Sequence, residues 1–255
     1  QRRFQKIIEE SPAPNLNRAL RDRICAAACS LARKVNYRNA GTVEFIVSGD
    51  NSFYFLEMNT RLQVEHPVTE LVCDLDLVRE QITIAHTGSL PFSQEEISQT
   101  GHAIESRICC ENPVNNFMPV TGKIEKLHLP DLEGVRYDLG FIEGQTITSD
   151  FDSMIGKLIC YAADRPTAIK KCTQVIEELL ILGTETNLNF LLSIFKNKEF
   201  IGEKTNTAFI SDHFSTLTDI DLNEKESVAA VIFAVLEDPS VKRLIKDAPA
   251  LHSFI

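Results

Sequence analysis

Two glutamates, Glu44 and Glu57, flank the turn-forming cluster Gly49-Asp50-Asn51. They lie in segments, 41–47 and 53–58, rich in β-branched and aromatic residues, the pattern of two strands joined as an antiparallel hairpin. Folding those strands back sets the two positions opposite each other to within one residue of register. Like charges directly across a ladder destabilise it, so facing carboxylates on an apolar hairpin call for a cation between them. Asn59 projects to the face of Glu57 by strand periodicity. Two carboxylates and an amide are hard oxygen donors suited to Mg²⁺ or Mn²⁺ shared with phosphate oxygens. Spacing alone leaves open a plainer reading, an ordinary hairpin with solvent-facing glutamates.

The second strand runs directly into a polar stretch, Glu57-Met58-Asn59-Thr60-Arg61-Leu62-Gln63-Val64-Glu65-His66-Pro67-Val68-Thr69-Glu70. Loops held by a rigid scaffold are where chemistry tends to sit, although Arg61 and Glu65 also read as a solvated ion pair. His66 precedes Pro67, which favours an extended backbone there, and it reads as structural support for the loop. Around the hairpin the pattern gives a helix over 18–35, capped by Asn15 or Asn17, with Leu20, Ile24, Cys25, Ala28 and Leu31 on one stripe. Cys25 and Cys29 then read as small buried hydrophobes on its apolar side. A second helix spans 68–86 and ends near Gly88. Past Gly101, short strands over 102–109, 123–129, 135–138, 145–148 and 155–162 alternate with Gly/Pro/Asn turns. Helices follow over 166–182, 187–196 and 206–213, and an acidic linker after Thr216 leads into an alanine- and valine-rich helix. Residues 91–100 are the natural domain boundary.

The chain has 255 residues, 44% hydrophobic and 24% charged, enough for one large or two modest domains with a conventional core. Its longest apolar run, 228–236, falls far short of the ~20 residues that span a bilayer, so no membrane partner is expected. A formal charge of −10 disfavours nucleic acid as a partner. Seven cysteines without CxxC spacing fit a reducing compartment better than a disulfide framework. The opening Gln1-Arg2-Arg3 lacks an initiator Met and a leader, so the chain reads as the remainder of something longer, with any targeting segment upstream.

The stretch 57–70 resembles the hallmark of the biotin carboxylase family of ATP-grasp enzymes, Glu-Met-Asn-(Thr/Pro)-Arg-(Ile/Leu)-Gln-Val-Glu-His-Pro-Val-Thr-Glu, and satisfies it throughout. Gln1-Arg2-Arg3-Phe4-Gln5-Lys6 with Glu9-Glu10-Ser11-Pro12-Ala13-Pro14 looks like the segment before the family's ATP-grasp helix. His102-Ala103-Ile104-Glu105-Ser106-Arg107, Pro119-Val120-Thr121-Gly122-Lys123-Ile124 and Asp152-Ser153-Met154-Ile155-Gly156-Lys157-Leu158-Ile159 look like its C-terminal domain. The likeness covers about residues 1–214, and the tail is similar to that of larger acyl-CoA carboxylase subunits that bear biotin. It implies an α+β fold. Residues 1–90 would be the second half of an ATP-grasp domain, an antiparallel sheet with helices. Residues 91–215 would be the biotin carboxylase C-terminal domain, a small antiparallel sheet with helices, and 216–255 a linker and helical tail leading to a missing downstream region.

The resemblance also implies a reaction: ATP phosphorylates bicarbonate to carboxyphosphate, and biotin is carboxylated at N1 in the first half-reaction of an acyl-CoA carboxylase. Glu44, Glu57 and Asn59 would hold the metal ions, Mg²⁺ or Mn²⁺, that bridge the ATP phosphates. Glu65 would be the base that deprotonates bicarbonate, and Arg61 would stabilise the biotin enolate. Arg107 would grip bicarbonate or carboxyphosphate, Lys6 would assist as a point charge, and Gln63 with the Val64 backbone would line the pocket. Phe4 stands where family members often carry His, which would alter a nucleotide contact.

Neither the family's lid with its glycine-rich loop nor its adenine-reading hinge is found in these residues, and no Ala-Met-Lys-Met biotin-attachment sequence occurs. Biotin would arrive on a separate domain or chain, with a biotin carboxyl carrier domain and a carboxyltransferase as partners. The 255 residues alone would bind MgATP weakly and lack bicarbonate-dependent ATPase. The family pairs through its C-terminal domain, and Gly134-Val135-Arg136 lies in that segment, although Glu133 replaces a bulkier apolar contact seen in some members. The compartment implied is the cytoplasm, or the mitochondrial matrix in a eukaryote. Two alternatives remain at this level: another ATP-grasp ligase of carbamoyl-phosphate type, and a non-catalytic dimerisation or docking module.

Overall fold

The computed structural model of the chain describes residues 1, 5–214 and 231–236. The expectations about Phe4 and the acidic linker therefore lie outside the described residues; of the expected tail helix, 231–236 is helical and the rest lies outside them.

Strand β1 (Ile8–Ser11) is followed by helix α1 (Arg18–Lys34). Asn17 caps that helix, its side chain accepting from the Leu20 amide at 2.9 Å, and Arg33 and Lys34 complement the helix dipole in the last turn. Leu20 is buried and Ile24, Ala27, Ala28 and Leu31 are half-buried, whereas Cys25 and Cys29 are exposed. The two cysteines were expected inside. They sit one position beyond Ile24 and Ala28, and about 100° of helical rotation turns them off the packed stripe.

The hairpin forms as expected from β2 (Thr42–Val47) and β3 (Phe53–Asn59), with Glu44 directly opposite Glu57. Its turn is closed by the Ser52 amide donating to Asp50 Oδ1 at 2.9 Å. The expected helix over 68–86 is two helices, α2 (His66–Cys73) and α3 (Leu77–Thr87). Asp74 adopts a left-handed conformation (φ 52°) and ends α2, and Asp76 caps α3 by accepting from the Arg79 amide at 2.8 Å. His66 is not extended: it begins α2, because Pro67 falls in the first turn, where a missing N–H costs nothing. Gly88 closes α3 with φ 81°.

After a 3-10 turn at Gln94–Glu96 come β4 (His102–Cys109), β5 (Glu111–Asn112), β6 (Met118–Pro119), β7 (Gly122–Lys123) and β8 (Lys126–His128). Next are β9 (Val135–Leu139), β10 (Thr146–Ile147), β11 (Met154–Ala162), α4 (Arg165–Glu178), β12 (Leu180–Leu182), α5 (Leu188–Phe195), α6 (Lys198–Ile201) and α7 (Phe209–His213). Two expectations are corrected here. The strand over 123–129 is split, its start pairing with β10 and its end with β12. The helix over 166–182 stops at Glu178, because Leu180–Leu182 gains more as a strand against β8 than as a further helical turn.

β1, β4, β11 and β9 form one antiparallel sheet in that order. On one face Ile104, Ile108, Leu158 and Cys160 pack against α4 and α5 in the main core. On the other, Ala103 and Ile159 pack against Val68 and Val72 of α2. Alongside them that second face carries the charged side chains of Glu9, Glu105, Arg107, Asp138 and Lys157.

Candidate functional site

The charged face gathers side chains from every strand of the main sheet. Alternation along β4 puts Glu105 and Arg107 on the side of Ala103, facing α2 and the loop that precedes it. Glu9 of β1 lies opposite Glu105 in register, and Lys157 of β11 lies opposite Arg107 and next to Asp138 of β9. The hairpin and the loop 60–65 approach this floor from above.

Arg107 holds Glu9 through two bonds, Nε at 2.9 Å and Nη2 at 2.6 Å, and its Nη2 also reaches Glu65 Oε2 at 3.0 Å. The other oxygen of Glu65 accepts from Lys6 Nζ, which reaches on to Glu44 Oε1 at 2.7 Å. Glu44 Oε1 further accepts from Gln63 Nε2 at 2.6 Å. Asn59 Nδ2 donates to Glu44 Oε1 at 3.1 Å and to Glu57 Oε1 at 2.9 Å, so both acids project to one side of the hairpin. Arg61 points back along its own loop, to the Leu62 carbonyl at 3.1 Å and Asn59 Oδ1 at 3.4 Å. A continuous hydrogen-bonded chain of charged groups, joined at one link by the Asn59 amide, therefore runs Glu9–Arg107–Glu65–Lys6–Glu44–Asn59–Glu57. Each residue singled out in the sequence is part of it or, for Arg61, Gln63 and Val64, touches it or its loop.

Burial sets the electrostatics. Desolvation pulls the Lys6 ammonium down, but bonds to Glu44 and Glu65 outweigh it and hold the pKa above the ordinary lysine value. Burial pushes Glu44 up, yet Lys6 and Gln63 bring it below the usual carboxylate range. Glu9 goes the other way, since burial outweighs Arg107. Glu105 is fully buried, both its oxygens lack a hydrogen-bond partner, and desolvation pushes its pKa up to about 8 despite nearby Lys157.

Glu9, Glu105, Lys157 and Asp138 were given no role from the sequence. Strand alternation along 102–109 is the signal that could have joined Glu105 to Arg107; nothing local marks Asp138. His66 supports the loop through Nδ1, 2.7 Å from the Gln63 carbonyl.

Two sequence profiles divide the chain. Residues 1–93 match the carbamoyl-phosphate synthase L chain ATP-binding domain, and residues 105–212 match the biotin carboxylase C-terminal domain. The biotin carboxylase of Halalkalibacterium halodurans is 43% identical over 218 residues, covering 86% of this chain and 48% of that one. This chain belongs to the biotin carboxylase family. The mitochondrial methylcrotonoyl-CoA carboxylase subunit alpha of Rattus norvegicus is 43% identical over 249 residues, 96% of this chain and 35% of the relative. The chain thus spans between about a third and a half of the length of such relatives.

Among solved structures, the Campylobacter jejuni biotin carboxylase–β-γ-ATP complex aligns with a TM-score of 0.80 at 43% identity, covering 84% of this chain and 47% of that one. The biotin carboxylase domain dimer of the Hydrogenobacter thermophilus 2-oxoglutarate carboxylase, in complex with MgADP and bicarbonate, gives 0.83 at 37%, covering 88% and 49%. Within this family member the site straddles both profiles, Lys6 to Glu65 in the first and Arg107 in the second.

Proposed function

We propose that this chain supplies the bicarbonate- and biotin-handling part of an ATP-dependent biotin carboxylase. The observation that carries the reading is Glu65 held between two cations, Lys6 and Arg107, beside the paired Glu44 and Glu57. Glu65 is the base that takes the bicarbonate proton. Arg107 and Lys6 hold the resulting dianion, because fixed positive charge in a partly dry cleft stabilises developing negative charge best. Attack of a bicarbonate oxygen on the γ-phosphorus, with ADP leaving, gives carboxyphosphate. Arg61 stabilises the biotin enolate once it turns from its contacts with the Leu62 carbonyl and Asn59, and Gln63 with the Val64 backbone lines the pocket.

The donor set suits a hard divalent ion. Two carboxylates and a carboxamide converge, and among the described residues no cluster of three His, Cys, Asp or Glu offers a full cage. Mg²⁺ is commonly bound by one or two carboxylates together with substrate phosphates, which fits. Glu44, Glu57 and Asn59 would hold it, the amide turning its oxygen inward. When bound, the ion supplies charge neutralisation of the ATP phosphates.

Biotin comes on a carrier domain, and a carboxyltransferase uses the product; the acceptor is an acyl-CoA. Residues 1–90 form the ATP-grasp part and the residues from 91 the C-terminal domain. Pairing of two copies is supported by the dimer of the 2-oxoglutarate carboxylase domain, and the segment around Arg136 is the surface assigned to it in this reading. Mitochondrial and bacterial relatives support the matrix or the cytoplasm as the compartment. A carbamoyl-phosphate-type ligase would share the paired glutamates but does not need Arg61 and Glu65 in their Gln-Val-Glu-His-Pro setting. The deciding experiment is ATP cleavage by the native full-length polypeptide with bicarbonate, with and without free biotin. Stimulation by biotin supports the reading; stimulation by ammonia or an amino acid instead overturns it.

A further inference from the structure

Lys157 stands where a central strand of a packed sheet would ordinarily carry an aliphatic residue; Ile159, two positions on, packs against α2. Lys157 is 8% exposed, and burying an ammonium is costly unless it is paired and hydrogen-bonded. Its Nζ donates to the Val64 carbonyl at 2.7 Å, and lies 3.3 Å from Asp138 Oδ2 and 3.9 Å from Glu105 Oε2. Val64 sits between Gln63, which reaches Glu44, and Glu65, which reaches Lys6 and Arg107. We propose that Lys157 is a positioning residue that pins the loop 63–65 to the floor of the sheet and so aims Gln63 and Glu65 into the site. Asp138 steadies the ammonium from the adjacent strand, and Glu105 fills the space behind it. With its Nζ committed to the Val64 carbonyl and Asp138, Lys157 acts through the backbone of Val64.

The inference rests on the carboxylation reading for its kinetic consequence, but not for its structural one. The test compares Lys157→Met, Lys157→Gln and Lys157→Arg in the native full-length polypeptide. Misplacing a reacting group by about an ångström costs on the order of 100-fold in rate. Lys157→Met is therefore expected to lower kcat for bicarbonate-dependent ATP cleavage by roughly 10- to 100-fold and to raise KM for bicarbonate. KM for MgATP stays the same, and Lys157→Arg recovers most of the rate. Amide hydrogen exchange quickens at 62–66 and stays slow along β11. Parental kcat and bicarbonate KM in Lys157→Met overturn the proposal. So does exchange raised across the whole sheet with both KM values equally affected, since that marks packing alone. Should Lys157→Met not fold, Lys157→Gln is judged by the same two readouts. If the parent itself shows no bicarbonate-dependent cleavage, the carboxylation reading fails, while the exchange at 62–66 still decides the clamp.

Discussion

A carboxyl group with no hydrogen-bond partner and no water contact favours its proton, and Glu105 is such a group. Its pKa is about 8 in the fold, against the ordinary 4.5. Between those values the folded chain keeps a proton that the unfolded chain gives up, so this residue's contribution to stability falls as pH rises from 4.5 to about 8. Glu105→Gln cannot titrate. Thermal unfolding of parent and variant across that window should show a flatter pH dependence in the variant; parallel curves would remove the buried proton from the account. At the same scale, Glu65→Gln in the full-length polypeptide should lower bicarbonate-dependent ATP cleavage by roughly 100- to 10,000-fold, the range for loss of a positioned base. Binding of MgATP, followed by equilibrium dialysis, should be unchanged. Glu44, Glu57, Asn59 and the loop from Arg61 to Glu65 were legible in the sequence because they are contiguous or related by one tight turn. Glu105 and Lys157 were not, since their meeting depends on the pairing of two strands about fifty residues apart, which no local pattern encodes.

Elements hold the site through a small number of buried polar ties. Asn187, 2% exposed at the start of α5, accepts from the Cys109 amide and donates to the Arg107 carbonyl, each at 2.9 Å. It thereby fixes the end of β4 that bears the Arg107 guanidinium. Asn187→Ala leaves two half-buried backbone groups unpaired and should cost about 2–6 kcal/mol, at ~1–3 kcal/mol for each unsatisfied group, measured by urea unfolding. Sequence periodicity located α5 well, because its apolar residues face one core. It overran α4 and fused α2 with α3 for opposite reasons. Leu180–Leu182 is apolar enough for a helix or a strand and takes whichever has a partner, here β8. At Asp74 the break lies in a left-handed backbone that an aspartate adopts without the glycine that would have announced it. Asp74→Gly should relieve that conformation and raise stability by up to ~1 kcal/mol, again by urea unfolding.

At the scale of the whole molecule, the chain spans only about a third to a half of the length of its relatives, so the proposed reaction draws on parts that these residues do not include. The 255 residues carry no glycine-rich phosphate loop. On their own they should bind MgATP weakly and show no bicarbonate-dependent turnover; robust turnover would contradict the division of labour proposed above. Arg136 is drawn inward by Glu70 at 2.7 Å and Asp138 at 2.8 Å. Pairing of two copies through its segment therefore has to accommodate or rearrange that network. Sedimentation at rising concentration should detect the pair, and a strict monomer would count against it.

β1 is contributed by residues 8–11, yet it is an edge strand of a sheet otherwise built from residues beyond 101. A protease that nicks the exposed turn Ser93–Glu96 would consequently release nothing: the two products stay laced together by that borrowed strand and part only on denaturation. Expression begun after the nick site would leave the β4 flank bare and sticky, and Arg107 would have lost Glu9, the carboxylate that steers it.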